Sequence, residues 1–150
     1  MTTTTPPAIT LDERLCLALY TASRAMTSRY RPVLSGLGLT YPQYLVMVLL
    51  WEQGGASVGQ IGARLDLESS TLSPLLKRLE AMGLVTRTRA STDERSVTVG
   101  LTDAGRVLEA GAAHVPQEIC EATALSAESQ VALVTRLRTL AAELAASPTE

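Results

Sequence analysis

The chain contains no phenylalanine, a single tryptophan and a single histidine among its 150 residues, and only two cysteines. Two cysteines and one histidine cannot complete a tetrahedral zinc site within one chain, so no metal or other cofactor is expected. Two cysteines are also too few for a stapled secreted scaffold, and a cytoplasmic pair is expected to be reduced. No apolar run reaches the 18 residues that a membrane-spanning helix needs. The start, MTTTTPPAIT, lacks a charged region followed by an apolar one, which argues against a secretory signal. It reads as a flexible arm over residues 1–10, and the protein is expected to be cytoplasmic. No phosphate-binding glycine loop, nucleophile elbow or HExxH pattern occurs.

Charge of either sign is sparse, and the net charge is only −2. Its distribution carries more than its sum. From Ser69 to Arg106 six bases face four acids, whereas from Val107 to Glu150 two bases face six acids. A modest basic patch on an acidic body suits a protein that meets a polyanion on one side.

The stretch from Ser57 to Thr102 is the most ordered in its signals. Val58, Ile61 and Leu65 share one helical face, with Ser57 as cap. After a turn around Asp66 and Glu68, Leu72, Leu75, Leu76, Leu79 and Met82 form a second stripe. Ser69 or Ser70 is the expected cap and Gly83 the stop. Pro74 cannot donate to the Ser70 carbonyl, so it is placed in the first turn of that helix or just past it. Alternation in VTRTR and SVTVGL then predicts two strands joined by a tip bearing Asp93, Glu94 and Arg95.

Helix, turn, helix and charged hairpin, in that order, predict a winged helix-turn-helix over residues 38–102, with double-stranded DNA as partner. A hydroxyl-rich helix start suits phosphates and base edges. The candidate contacts are therefore Ser69, Ser70, Thr71 and Ser73, then Lys77 and Arg78 on the polar side. Arg87 and Arg89 on the wing are added, as is Arg95, which can enter a minor groove beside Asp93. Each feature alone is more often a cap or a solvated face; the ordered combination is what discriminates.

The flanks are helical. A long helix is expected over Leu11–Leu37, kinked or split at Pro32. A second runs over Leu39–Glu52 with Thr40 as cap and is ended by Gly54-Gly55. A third starts after Thr102 and reaches about Ala113, with Pro116 as an interruption. The last spans Ala127–Ala146, with Val131, Val134, Leu137, Leu140 and Leu144 as its seam. The fold class is thus mainly α with a small β-wing. Residues 11–37 and 103–146 are read as dimerisation helices, because they are more apolar than a small winged domain needs.

The segments LCLALYTASR, LTYPQYLVMVLLWE, LESSTLSPLLKRLEAMGLVTR and DERSVTVGLTDAG together resemble the MarR family of regulators. Within it they resemble the organic-hydroperoxide-sensing repressors, over nearly all of Leu11 to Leu144. That resemblance implies a homodimer that represses a peroxide-detoxifying gene and leaves DNA when a thiol is oxidised. It places the reactive thiol at Cys16 and the tyrosines that hydrogen-bond it at Tyr20, Tyr30 and Tyr41. It puts Asp93 and Arg95 in the wing's acid-arginine pair. Family members with a second cysteine form an intersubunit disulfide, and Cys120 stands where that residue is expected. Independently of the resemblance, Cys16 and Tyr20 lie one turn apart on one helix, and a phenol donating to a thiolate favours the charged form. Against this, a cysteine on an apolar helix face is in most proteins a small hydrophobe, and a small cellular thiol can replace Cys120 as the resolving group.

Three other readings stay open at this point: a regulator released by a small aromatic ligand with incidental cysteines, a thiol peroxidase, and a winged-helix protein-interaction module. The peroxidase is disfavoured by the lack of a thioredoxin-like βαβ pattern around Cys16, so no enzymatic activity is expected.

Overall fold

A computed structural model describes residues 9–90 and 93–148, with side chains except at 90 and 93–95. The arm expected over residues 1–10 lies almost wholly outside the described residues. The chain divides into two compact units, one running to Ala113 and the other beginning at His114.

The first unit holds α1 (Leu15–Ser35), α2 (Tyr41–Gln53), β1 (Gly55–Ser57), α3 (Val58–Leu65), α4 (Ser69–Ala81), β2 (Val85–Ala90), β3 (Asp93–Leu101) and α5 (Asp103–Gly111). The second holds α6 (Val115–Thr123) and α7 (Ala127–Ala146). The three strands form one antiparallel sheet in the order β1-β3-β2. This is a mainly helical winged helix-turn-helix, as the sequence predicts.

Capping sets most of the boundaries. Thr40 and Gln43 close a capping box at the start of α2, and Ser57 and Gln60 do the same for α3. Thr102 caps α5 by accepting from the Gly105 N–H. Four boundaries differ from expectation. The first helix starts at Leu15, because Thr10 donates from its N–H and its hydroxyl to the Glu13 carboxylate. Those bonds close a local turn that competes with the helix, and they hold the Glu13 carboxyl below its usual range. Within α1, Pro32 sets no boundary and does not split the helix, which runs through it to Ser35. Pro116 starts α6 rather than merely interrupting, since a proline in the first turn lacks only an N–H that has no helical partner anyway. The third difference is β1, where Gly54-Gly55 was expected only to end a helix. Ala56 pairs there with Val99 of the wing. The fourth is the cap of α4. Glu68, not Ser69 or Ser70, occupies that position, and its carbonyl accepts from Thr71 and Leu72.

The core of the first unit is built from Leu34, Val46, Met47, Leu50, Ile61, Leu72, Leu76, Leu79, Val85 and Val99, all essentially inaccessible. Burying each such side chain contributes about 1.5–3 kcal/mol. Leu72, Leu76 and Leu79 anchor α4 by one face, so its other face is held outward. The Leu67 and Asp66 N–H groups both return to the Gly62 carbonyl. A side chain at Gly62 would meet the Leu67 carbonyl at 2.9 Å, which is why the turn between α3 and α4 can be this tight. No helix among the described residues is long and apolar enough to cross a membrane.

Candidate nucleic-acid interface and thiol sites

The outward face of α4 carries Ser69, Ser70, Thr71, Lys77 and Arg78, all exposed, with Ser73 half-buried. With Glu68 in the cap position and no side chain capping the helix start, the first N–H groups of α4 and their positive dipole end are presented beside these hydroxyls. A cleft of about 540 Å³ lies between the starts of α3 and α4 and the wing, walled by Ser57, Ser69, Ser73, Arg87 and Ser96. Arg89 is exposed on β2. The backbone of Asp93 and Arg95 belongs to β3, but their side chains lie outside the described residues.

Arg87 is not free. Its Nε donates to Glu80 Oε2 at 2.9 Å and its Nη2 to Oε1 at 3.5 Å. That contact joins the last turn of α4 to the first strand of the wing. The hydrogen bond from Arg87 holds the Glu80 carboxyl below its usual range and, reciprocally, raises the guanidinium.

Cys16 is the second residue of α1 and is exposed. Tyr20, one turn further, is 61% exposed and lies under the Arg24 guanidinium, 5.5 Å from the ring centre. Tyr30 is 14 residues beyond Cys16 on the same helix, about 21 Å along its axis. It stacks on Tyr41 with ring centres 4.4 Å apart, and Tyr44 lies 5.7 Å from it. Burial first, then the neighbouring Tyr41 and Tyr44, push the Tyr30 phenol up to about 12. Burial raises Tyr41 and Tyr44 as well. These phenols therefore remain protonated donors across the physiological range.

Cys120 sits half-buried on α6, within the second unit. Its S–H donates to Gln130 Oε1 of α7 at 3.3 Å. Thr123 ties the same corner by donating to the Cys120 carbonyl at 2.7 Å. No residue of α7 is buried: Val131 is 68% exposed, Val134 49% and Leu144 64%.

Residues 28–110 match the model of a family described as transcriptional regulator SarA/Rot. The organic hydroperoxide resistance transcriptional regulator of Bacillus subtilis (strain 168) is 45% identical over 130 residues, covering 87% of this chain and 88% of that one. The chain belongs to the MarR/SarA family of transcriptional regulators. It is thus a DNA-binding regulator of the organic-hydroperoxide type and not an enzyme. Within the family, reduced AbfR of Staphylococcus epidermidis, solved bound to DNA, matches with a TM-score of 0.75 at 34% identity. That match covers 89% of this chain and 94% of the other. AbfR with its disulfide formed matches with a TM-score of 0.63 at 34% identity, over 91% and 93% of the two chains.

The structure thus gathers the hydroxyls of α4 with Lys77 and Arg78 on one face, and it brings Tyr30 to Tyr41. It does not bring either tyrosine to Cys16 within one protomer. Sequence reasoning missed Tyr44, although its place three residues after Tyr41 puts both on one helix face. It also missed Glu80 and Gln130. Neither announces itself locally, since their partners lie seven and ten residues away across turns.

Proposed function

We propose that this regulator is a thiol-switched repressor that holds operator DNA as a reduced homodimer. The carrying observation is an exposed Cys16 at the start of α1, in a chain 45% identical to an organic hydroperoxide resistance regulator. The Cys16 thiolate attacks the terminal peroxide oxygen, the O–O bond breaks, and the alkoxide takes a proton and leaves as alcohol. The resulting sulfenic acid condenses with Cys120 of the partner subunit: the S–S bond forms, the S–O bond breaks, and hydroxide leaves as water. The AbfR structures, one reduced on DNA and one with a disulfide formed, support such a cycle by kinship.

Two features support the homodimer in this reading. Exposed apolar side chains on α1 and α7, among them Leu15, Val131 and Val134, suit an interlocked interface. Tyr30 also stands too far along α1 to serve the thiol of its own chain, and Tyr41 stacks on it from the start of α2, so these tuning phenols come from the partner subunit, with Tyr20 contributed locally. Closing a disulfide requires Cα atoms within about 7 Å, and drawing interface helices to that distance changes the spacing of the two winged lobes. Recognition helices set for half-sites one DNA turn apart then lose joint engagement. In DNA contact we place Ser69, Ser70, Thr71, Ser73, Lys77, Arg78 and Arg89, with Asp93 and Arg95 at the wing tip. The setting is cytoplasmic.

A second reading has its own observation. A cleft of about 370 Å³, lined by Thr27, Arg31, Leu39, Thr40, Tyr41 and Pro42, joins apolar walls to one guanidinium. Those walls suit a small aromatic acid as releasing ligand.

The test is binding of reduced protein to the DNA upstream of its own gene, titrated with an organic hydroperoxide. Wild type is expected to release the DNA and Cys16→Ser to hold it. Release of the serine variant at the same peroxide dose overturns the thiol reading.

A further inference from the structure

We propose that Glu80 is a positioning residue of the DNA interface, which locks Arg87 as a strut between recognition helix and wing and withholds its guanidinium from phosphate. The inference rests on the reading that α4 and the wing face DNA.

Arg87 and Arg89 are two apart on β2 and so point to the same side of the strand. By position they are equivalent phosphate contacts. Their surroundings differ. Arg89 is exposed, while the Arg87 side chain is only 28% exposed and both carboxylate oxygens of Glu80 lie on its guanidinium, at 2.9 and 3.5 Å. Arg87, together with Val97, also forms the wall shared by two clefts, the one bounded by Ser69, Ser73 and Ser96 and another of about 260 Å³ that contains Glu80 and Arg89. A guanidinium in that place, freed of its carboxylate, borders the surface where a phosphate would pass.

Counterion release makes the difference measurable. Each cation that neutralises a phosphate steepens the fall of log K with log salt by about 0.9. An arginine already neutralised by a carboxylate adds nothing to that slope. Glu80 therefore removes one charge from sequence-independent binding. At the same time it ties β2 to the end of α4, which fixes the spacing between groove-reading helix and wing.

The experiment is the salt dependence of binding to a mixed-sequence duplex of about 30 base pairs, three helical turns, for wild type, Arg87→Ala, Glu80→Gln and the double variant. Arg87→Ala is expected to keep the wild-type slope. Glu80→Gln is expected to steepen it by about 0.9, which is roughly 3.5-fold more affinity lost between 50 and 200 mM salt. The double variant is expected to return to the wild-type slope. A slope that falls by about one unit in Arg87→Ala makes Arg87 a direct phosphate contact and overturns the inference. So does an unchanged slope in Glu80→Gln, the result of an ordinary surface pair. So does a slope that stays steep in the double variant, which would assign the effect to the charge of Glu80 itself. Wild-type protein that binds no duplex even at low salt overturns the DNA reading and the inference together.

Discussion

Gly105 shows how much one residue can carry in this chain. Its carbonyl accepts the Trp51 indole N–H at 2.9 Å, and its N–H reaches the Thr102 hydroxyl at 3.0 Å. A Cβ built on it would run into the Leu84 carbonyl oxygen. The Thr102 hydroxyl in turn donates to the Gly83 carbonyl at 2.6 Å. One glycine thus lets the start of α5 press on the turn between α4 and β2 while pinning α2. Replacing it with alanine must push α5 away from that turn, and overpacking of this kind costs about 1–3 kcal/mol. Gly105→Ala is expected to lower the urea midpoint accordingly. Fluorescence of Trp51, the only tryptophan, reports both the unfolding and the loss of its hydrogen bond. A variant as stable as wild type would contradict the close approach. The reason for the glycine is not written around it in the sequence, because the atom that excludes a side chain lies 21 residues away.

At the scale of elements, legibility follows how local the determining physics is. The stripe Leu72, Leu75, Leu76 and Leu79 gives α4, all four being buried, and Ala127–Ala146 is found with the limits expected for α7. Three-residue β1 has no pattern of its own and exists because β3 offers a partner. Helix α6 was hidden by a proline that reads equally as breaker or starter. At the start of α4, residue type favours Ser69 or Ser70 as the cap, but the length of the preceding turn decides for Glu68. Once Asp66 and Leu67 bond back to Gly62, Glu68 is where the new helix must begin. Pro74 is the remaining anomaly: it sits inside α4, in the sixth helical position, where an N–H would meet the Ser70 carbonyl. A proline inside a helix is about 3 kcal/mol worse than alanine, whereas its restriction of the unfolded chain returns only about 0.4–1 kcal/mol. The first effect wins, so Pro74→Ala is expected to stabilise the protein by about 2 kcal/mol, read from chemical unfolding. A loss of stability would mean that the proline ring contributes packing that the alanine cannot replace.

For the whole molecule, the open question is what covers α7. A 20-residue helix with no buried residue gains nothing from its leucines and valines as a solvated element, since helix stability in proteins comes mostly from packing an apolar face. Val131, Val134 and Leu137 lie along it at three-residue steps, at 68%, 49% and 40% exposure. In the proposed homodimer these side chains enter the interface with the partner subunit. Replacing Leu137 by glutamate would then bury two carboxylates, one from each subunit, at a cost no pair of valines offsets. Leu137→Glu is expected to shift the protein from dimer to monomer in sedimentation analysis. Its thermal midpoint should also lose the concentration dependence that association imparts. The winged lobe, which belongs to a compact unit of its own, should keep its fold by circular dichroism. Binding to a two-half-site duplex should fall by at least tenfold, because a monomer engages one half-site alone. A Leu137→Glu protein that remains dimeric would place the interface elsewhere and leave the exposed stripe of α7 without the role assigned to it.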